Sequence, residues 1–244
     1  MRELNLMLHC GAHRVEREVI DLAPTPDATD SWHPIPHREL LGRVENVVRK
    51  GGMQIVQQAH GLTHEGNRYF GMLQVANGEN HDDYGLVIGV RNSHDKTFPA
   101  ALCLGAGVFV CDNLSFSGEV KLARRHTRFI MRDLPQVIHR AVGMLADHRQ
   151  KQDLRIEAYK GHALTDVATH DVVINALDCG AVPSTKVPYV LQEYRNPQHE
   201  EFRSRTAWSL FNAFTEVLKG DARKVLPRTQ ALHGLMDSVC QLSV

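Results

Sequence analysis

The sequence has no long hydrophobic run. No stretch of its 244 residues approaches the roughly 18 consecutive apolar residues that a transmembrane helix needs, so we expect no contact with the membrane interior. Residues 1–15 lack a compact apolar region followed by a small-residue cleavage site, which argues against secretion. Five scattered cysteines, an odd number, argue against a disulfide framework. Together these absences predict a cytoplasmic protein.

The sequence also lacks an excess of either charge. Its 28 basic residues balance 28 acidic residues, and the net charge is zero. A protein that coats nucleic acid binds the phosphate backbone with Lys and Arg, so the balance weighs against that class. Cations concentrated in one region could still form a binding surface, and their distribution along the chain has to decide.

Recognisable catalytic and metal-binding motifs are missing as well. The sequence contains no Walker loop, no G-x-S-x-G or G-x-G-x-x-G turn and no H-E-x-x-H helix. Among 15 histidines, His9 and His13 lie close to Cys10, but no second pair follows at zinc-finger spacing. Prolines between His33 and His37 exclude a helix that would align these two rings. We therefore expect no metal site and no cofactor.

Hydrophobic periodicity predicts an α+β protein. An amphipathic helix at residues 38–50 ends at Gly51 and Gly52. Residues 53–113 contain four predicted strands separated by turn residues. Helical patterns dominate from residue 133 onward. This order predicts an antiparallel β-meander with helices packed on one side and a helical C-terminal part.

We expect residues 1–244 to form a single domain. Residues 23–37 carry four prolines and predict an extended linker on the surface. The meander and its helices are expected within residues 53–152, and the mainly helical part within residues 153–244. No internal repeat or low-complexity tract divides the chain further.

Two helices of this pattern have predicted ends. Asp133 is the expected N-terminal cap of one helix, with Pro135 in its first turn. Residues 205–220 form the last strong helix, which places Trp208 in the core and ends at Gly220.

Three polar blocks lie at the ends of predicted strands. They are residues 91–96 (RNSHDK), residues 111–113 (CDN) and residues 121–132, which contain five Lys or Arg and no carboxylate. Asn and Asp at strand ends ordinarily build turns, and charges on an edge strand ordinarily prevent aggregation. Cations interleaved with His126 and Phe129 also suit a phosphate backbone with stacked bases.

We expect these blocks to meet at one rim of the sheet and to form an electropositive surface. Single-stranded DNA is the expected partner, and no catalytic residue is assigned. The predicted nucleic-acid-binding residues are Arg91, Asn92, Ser93, His94, Asp95, Lys96, Asn113, Arg124, Arg125, His126, Thr127 and Arg128.

The same blocks resemble a bacterial family of phage/plasmid-like proteins, the domain of unknown function nine-three-two. The family pattern runs Asn-Ser-x-Asp, Gly-x-x-Val-Cys-x-Asn, Arg-or-Lys-His-Thr and Asn-Ala-x-Thr-Glu. In this sequence it falls on Asn92, Ser93, Asp95, Gly107, Val110, Cys111, Asn113, Arg125, His126, Thr127, Asn212, Ala213, Thr215 and Glu216. The resemblance implies a mobile-element context and a cytoplasmic protein. The order of elements is also similar to the core of Rad-fifty-two-type single-strand annealing proteins, a fold-level analogy.

Three classes of function remain open from the sequence. The first is a nucleic-acid-binding protein of phages or plasmids, such as a single-strand annealing recombination protein that forms a homo-oligomer. The second is a metal-dependent hydrolase or nuclease, for which His94, Asp95, Asp112, Asn113 and His126 supply suitable residue types. The third is an interaction protein that acts on a host defence system.

Overall fold

The computed structural model describes residues 12–63, 65–76, 84–108, 114–116, 122–219 and 222–243. Its strands form a seven-stranded sheet in which every hydrogen-bonded pair is antiparallel. The strands are β1 His13–Val15, β2 Gln54–Thr63, β3 Arg68–Ala76, β4 Tyr84–Ser93, β5 Ala100–Val108, β6 Leu114–Phe116 and β7 Leu122–Arg124.

Eight α-helices are described, and most of them follow the sheet in sequence. They are α1 Arg17–Leu22, α2 His37–Lys50, α3 Ile130–Gly143, α4 Leu145–Gly161, α5 Asp166–Asp178, α6 Val187–Arg195, α7 Ala207–Val217 and α8 Ala222–Val239. Within the described ranges, none of these helices has the length and apolar character that a membrane span requires. The prediction of an α+β protein with a helical C-terminal part is confirmed.

The sheet is a meander of sequential strands. Its order is β1-β2-β3-β4-β5-β6, and β7 pairs with the same edge of β5. β6 pairs with Gly105–Gly107 and β7 with Ala100–Leu102, so the two short strands share that edge end to end. β1 lies upstream of the proline-rich segment, so the sheet extends beyond the range 53–152 in which the meander was predicted.

One face of the sheet packs against α2 and α3. Alternation along each strand places one set of apolar side chains on this face, and the helices supply stripes at spacings of three and four residues. The predicted apolar stripe of α2 is completely buried at Leu40, Leu41, Val44 and Val48 and partly buried at Val47. The contributing residues include Leu40, Leu41, Val44, Val48, Leu73, Val75, Ile88, Val90, Leu102, Leu104, Leu134, Ile138 and Ala141.

A second hydrophobic core joins the C-terminal helices. Trp208, Phe211 and Phe214 of α7 are buried in it, as the sequence predicted. Helix α4 connects the two cores, because Leu145 at its start belongs to the first and Tyr159 near its end belongs to the second.

Two predicted helix positions are wrong. Helix α3 begins at Ile130, three residues before the predicted cap Asp133, because the Ile130 N–H already donates to the Thr127 carbonyl at 3.0 Å. Helix α8 was not identified, since Pro227 lies inside it and proline usually interrupts a helix. Gly220, the predicted end of α7, lies outside the described residues.

Candidate functional site

Two of the three polar blocks lead to one end of the sheet, where Arg91 pairs with Ala101 and Arg124 pairs with Ala100. Strand β5 ends at Val108, which pairs with Tyr84 at the opposite end, so the expectation that the block at 111–113 meets the other two is not supported.

At the first of these ends β4 finishes with Asn92 and Ser93, β3 begins with Arg68, and α2 begins with His37. We call it the rim. The proline-rich segment 23–37 crosses the rim, exposed over residues 24–31 and buried at Pro34, Ile35 and His37.

Asn92 fixes the buried end of this segment. Its Nδ2 donates to the Ile35 carbonyl at 2.7 Å and to Nδ1 of His37 at 2.9 Å. The other ring nitrogen of His37, Nε2, lies 2.9 Å from the Gly66 carbonyl and donates to it. His37 is therefore the neutral tautomer with its proton on Nε2, and Asn92 is the donor that requires this state.

His94 binds the same backbone carbonyl from the other side. Its Nε2 donates to the Ile35 oxygen at 2.8 Å, and its backbone N–H donates to the Asn67 carbonyl at 2.7 Å. The strand end, the β2–β3 turn and the proline-rich segment are thus joined around one peptide group.

His126 completes the attachment. Its Nδ1 accepts a hydrogen bond from the Ile35 N–H at 3.3 Å, and its backbone carbonyl accepts one from the His33 N–H at 3.0 Å. The Trp32 ring lies nearly parallel to the His126 ring, at 9° and 6.1 Å between centroids. Residues distant in sequence therefore hold both polar groups of Ile35.

Burial controls the protonation of these histidines. It lowers the pKa of His37 to about 3, with a smaller contribution from His94, and lowers the pKa of His126 to about 4. Burial also lowers the pKa of His94, although the carbonyls of Ile35 and Pro24 partly oppose this effect. All three rings are therefore neutral near pH 7, which suits hydrogen bonding within the fold better than phosphate binding.

The loop after β4 is a turn closed by Asp95. Its carboxylate accepts hydrogen bonds from Ser93 Oγ at 2.6 Å, from the side chain of Thr97 and from the Arg68 guanidinium, whose Nε is 2.6 Å away. Burial raises the pKa of Asp95, but these hydrogen bonds outweigh it and hold the pKa well below its usual range. Lys96 has a φ of 62°, a left-handed conformation that turns the chain sharply here.

An exposed surface with cations and aromatic rings lies beside the buried histidines. Lys96 Nζ is 4.8 Å from the centroid of the Trp32 ring. The Phe129 ring is 53% exposed, and the guanidinium carbons of Arg128 and Arg132 lie 5.8 and 4.7 Å from its centroid. We call this the basic aromatic surface; it consists of Trp32, Lys96, Arg125, Arg128, Phe129 and Arg132.

The predicted binding residues divide into three groups. Asn92, Ser93, His94 and His126 are buried, and Asp95 is occupied by the turn. Lys96, Arg125, Thr127 and Arg128 are exposed. Arg124 belongs to β7, and the predicted residue Asn113 lies outside the described residues, as does the rest of the block at 111–113.

Arg91 points to the opposite face of the sheet from Asn92, because adjacent strand residues alternate. It is half-buried, with its guanidinium carbon 5.2 Å from the Phe98 ring centroid. Its buried Nε has no hydrogen-bond partner, and burial lowers the pKa of the side chain.

A family model matches residues 28–237, and its description is Domain of unknown function (DUF932). The match covers most of the chain and includes both the rim and the C-terminal helices. The chain belongs to the DUF932 family. No curated protein and no solved structure shows a significant match.

Several residues that carry the DUF932 resemblance form hydrogen bonds within the fold. Asn92 and His126 bind Ile35, and Ser93 and Asp95 form the turn. On α7, Asn212 Nδ2 donates to the Trp208 carbonyl at 2.9 Å, and Thr215 Oγ1 donates to the Asn212 carbonyl at 3.1 Å. The polar residues on this buried helix are therefore satisfied within it.

Sequence reasoning missed a second buried polar cluster, in the helical part of this DUF932 protein. Arg155 of α4 forms three hydrogen bonds to Asp237 of α8, the shortest with Nη2 and Oδ2 2.8 Å apart. Tyr159 Oη donates to the same carboxylate at 2.6 Å, and burial together with Asp237 raises the Tyr159 pKa. Burial lowers the pKa of neighbouring His233 to about 3. The spacing of His148, Gln152, Arg155 and Tyr159 on one face of α4 was the available signal.

The rim histidines are arranged for hydrogen bonding within the fold. In the part of the chain that the structure describes, no group of three or more His, Cys, Asp or Glu is placed to hold a metal ion. The His37 and His94 rings are stacked. Both nitrogens of His37 and Nε2 of His94 are engaged with backbone and amide groups, whereas the buried Nδ1 of His94 has no hydrogen-bond partner.

Proposed function

We propose that this protein binds single-stranded nucleic acid through the basic aromatic surface. The observation that carries the proposal is the 53% exposed Phe129 ring, with the guanidinium groups of Arg128 and Arg132 close to it. A base can stack on an accessible aromatic ring regardless of its identity, while nearby guanidinium groups neutralise the phosphates.

The other residues of the basic aromatic surface add further cations and a second aromatic ring. Arg125 is exposed close to Phe129 in sequence, and Lys96 lies over Trp32, whose ring in turn packs on His126. Of the neighbouring carboxylates, Asp95 is paired with Arg68 outside this surface, whereas Asp133 forms an exposed ion pair with Arg132 of the surface. The surface thus offers more cations than the net charge of zero would suggest.

The proposal places the protein among single-strand annealing proteins of phages and plasmids, acting in the cytoplasm as a homo-oligomer. The antiparallel meander with helices behind one face supports this assignment by its order of elements. His126 contributes to this surface indirectly. Its hydrogen bonds to Ile35 and His33 hold the segment that contains Trp32 against residues 125–129.

Fluorescence anisotropy with a labelled oligothymidylate tests the proposal. If Lys96, Arg125, Arg128 and Arg132 each contact one phosphate, log K should fall against log salt concentration with a slope of about −3 for single-stranded DNA. The variant Arg128→Ala should reduce the magnitude of this slope by about 0.7. Phe129→Ala should weaken binding by roughly 1–3 kcal/mol and leave the slope unchanged, since it removes stacking and no charge.

The helical part provides a matched control. Tyr189 is 57% exposed and lies 5.6 Å from Lys186 Nζ, a pair of the same kind on a different surface. The variants Tyr189→Ala and Lys186→Ala should bind oligothymidylate like the unmodified protein. Affinity that does not depend on salt, or equal losses at Phe129 and Tyr189, would contradict the proposal.

A further inference from the structure

A pocket opens at the end of the sheet opposite the rim. Its volume is about 310 Å³, and it lies where α2 and α3 end and where Val75 of β3 pairs with Leu86 of β4. Since β3 runs from Arg68 at the rim to Ala76, the length of the strand separates the pocket from the basic aromatic surface.

The walls of the pocket are aliphatic. They come from both helix ends, the sheet and the start of α4, and they consist mainly of Val47, Met53, Val75, Leu86, Val142 and Leu145. No Phe, Tyr or Trp side chain is among the described lining residues. The volume is at the lower end of the roughly 300–1,000 Å³ typical of small-molecule sites, which indicates a small ligand with an unbranched or flexible apolar part.

The ionisable side chains that line the pocket are basic. Lys50 and His139 are exposed, and Arg149 is half-buried, with its Nε 3.8 Å from Asp153 Oδ2. The described lining contains no carboxylate. Three basic groups around an apolar pocket complement a ligand that has a negative charge at one end.

Backbone hydrogen bonds occupy the carbonyls of Val47, Val48 and Arg49 at the end of α2. The Gly51 N–H donates to the Val47 carbonyl at 3.0 Å, and the Met53 N–H donates to the Val48 carbonyl at 3.2 Å. These bonds satisfy carbonyls that a helix end otherwise leaves open. The lining therefore favours an anion over a metal ion or an amine.

We propose that this pocket binds a small anionic amphiphile. A short acyl chain packs against the aliphatic walls, and its carboxylate or phosphate head group contacts Lys50, His139 and Arg149. A nucleobase is a poorer occupant, since the described walls supply no Phe, Tyr or Trp for stacking and their one ring is the exposed imidazole of His139. This site is independent of the proposed nucleic-acid surface.

Calorimetric titration of the full chain tests the proposal with decanoate and decyl phosphate, each below its micelle concentration. Both should bind, and the stronger of the two identifies the carboxylate or phosphate as the preferred head group. Decanol and decyltrimethylammonium have the same chain without the negative charge and should bind at least about tenfold more weakly. Thymidine 5′-monophosphate should not bind here.

Two variants locate the site. Lys50→Glu should weaken decanoate binding about tenfold, because it reverses a charge at the head group. Arg49→Glu is the matched control, since Arg49 is the exposed neighbour of Lys50 on α2 and does not line the pocket. Ala146→Trp introduces a large side chain at an exposed lining position and should abolish binding.

Three results would overturn the proposal. They are equal binding of the anionic, neutral and cationic ten-carbon compounds, unchanged decanoate binding by a folded Ala146→Trp variant, and no binding of either anion to the unmodified protein. Binding of oligothymidylate by the Lys50→Glu variant should be unchanged, so failure here is distinguishable from failure of the proposed function.

Discussion

The rings of His37 and His94 stack face to face, with centroids 3.9 Å apart and planes 4° from parallel. His37 is the first residue of α2, and His94 directly follows β4. Their stack therefore joins the start of a helix to the end of a strand. Asn92 and His94 both donate to the Ile35 carbonyl, so the polar residues at this strand end hold the proline-rich segment in place.

Removing the Asn92 amide tests this attachment. In the variant Asn92→Ala the buried His37 Nδ1 loses its donor, and the Ile35 carbonyl keeps only the bond from His94. We expect the free energy of unfolding to fall by about 1–3 kcal/mol, measured by urea denaturation. Chymotrypsin should cleave faster after Trp32.

Arg125→Ala is the control, because Arg125 is exposed. Its free energy of unfolding should stay within about 0.5 kcal/mol of that of the unmodified protein. Equal stability and equal cleavage of the two variants would show that Asn92 does not anchor the segment.

Acidification should destabilise the fold through the rim histidines. The folded-state pKa of His126 is about 4 and that of His37 about 3, whereas an unfolded histidine titrates near 6.5. The unfolded chain therefore binds protons first as the pH falls below 6.5. Stability is fully present above pH 6.5 and falls down to about pH 4, by about 1.4 kcal/mol per pH unit for each fully shifted histidine.

Urea denaturation at several pH values between 7.5 and 4.5 measures this loss. His126→Asn keeps an oxygen acceptor for the Ile35 N–H but removes the titrating ring, so its stability should depend less steeply on pH. The exposed substitution His139→Asn should leave the dependence as it is. A stability that is constant or rises on acidification would refute the assignment of these rings as buried and neutral.

Local signals in the sequence were sufficient for the four long strands of the sheet, β2 to β5, but not for all of the short strands at its edges. Alternating apolar residues and the turn at residues 65–67 predicted β2 and β3, and the turn indeed places Glu65 and Gly66 at positive φ. Local signals also predicted α2, because its apolar stripe is followed closely by two glycines. Helix α8 could not be predicted in this way, because Pro227 interrupts its helical pattern. Packing of Leu232 and Met236 in the second core stabilises this helix.

The site was harder to predict, because its partners are far apart in sequence. Asn92 and His94 bind Ile35 across 57 and 59 residues, and His126 binds it across 91. No local pattern encodes such contacts, so these residues looked available for an external partner. Lys96, Arg125 and Arg128 are exposed, as predicted for long cationic side chains, which are seldom fully buried.

Gly71 is required by the ring of Tyr69. The two residues share one face of β3, and a Cβ at Gly71 would approach the Tyr69 Cζ to 2.8 Å. Tyr69 is completely buried, and its hydroxyl lies 3.0 Å from Nδ1 of His60. In Gly71→Ala the ring must move and this hydrogen bond is lost. We expect a destabilisation of about 1–3 kcal/mol by urea denaturation.

Gly42 provides the control for this substitution. It lies in α2, and a methyl group on its Cα would have no atom within 4 Å, so Gly42→Ala should stabilise the protein by up to about 1 kcal/mol through helix propensity. A Gly71→Ala variant as stable as Gly42→Ala would mean that the Tyr69 ring does not occupy the space over Gly71.

The last prediction concerns the ion pair that joins α4 to α8. Arg155 and Asp237 are 7% and 14% exposed, so removing one partner leaves the other charge buried. We expect Asp237→Ala to lower the free energy of unfolding by about 3–5 kcal/mol, whereas the double variant Arg155→Met, Asp237→Leu should lower it clearly less because no charge remains.

The exposed pair Arg203–Glu200, with side chains 70% and 78% exposed, is the control. Glu200→Ala should lower the free energy of unfolding by less than about 1 kcal/mol. Thermal and urea denaturation of the four proteins measure these differences. If the double variant is less stable than Asp237→Ala alone, then Arg155 stabilises the helices by packing and hydrogen bonds other than those to Asp237, and the ion pair is not what fastens α8.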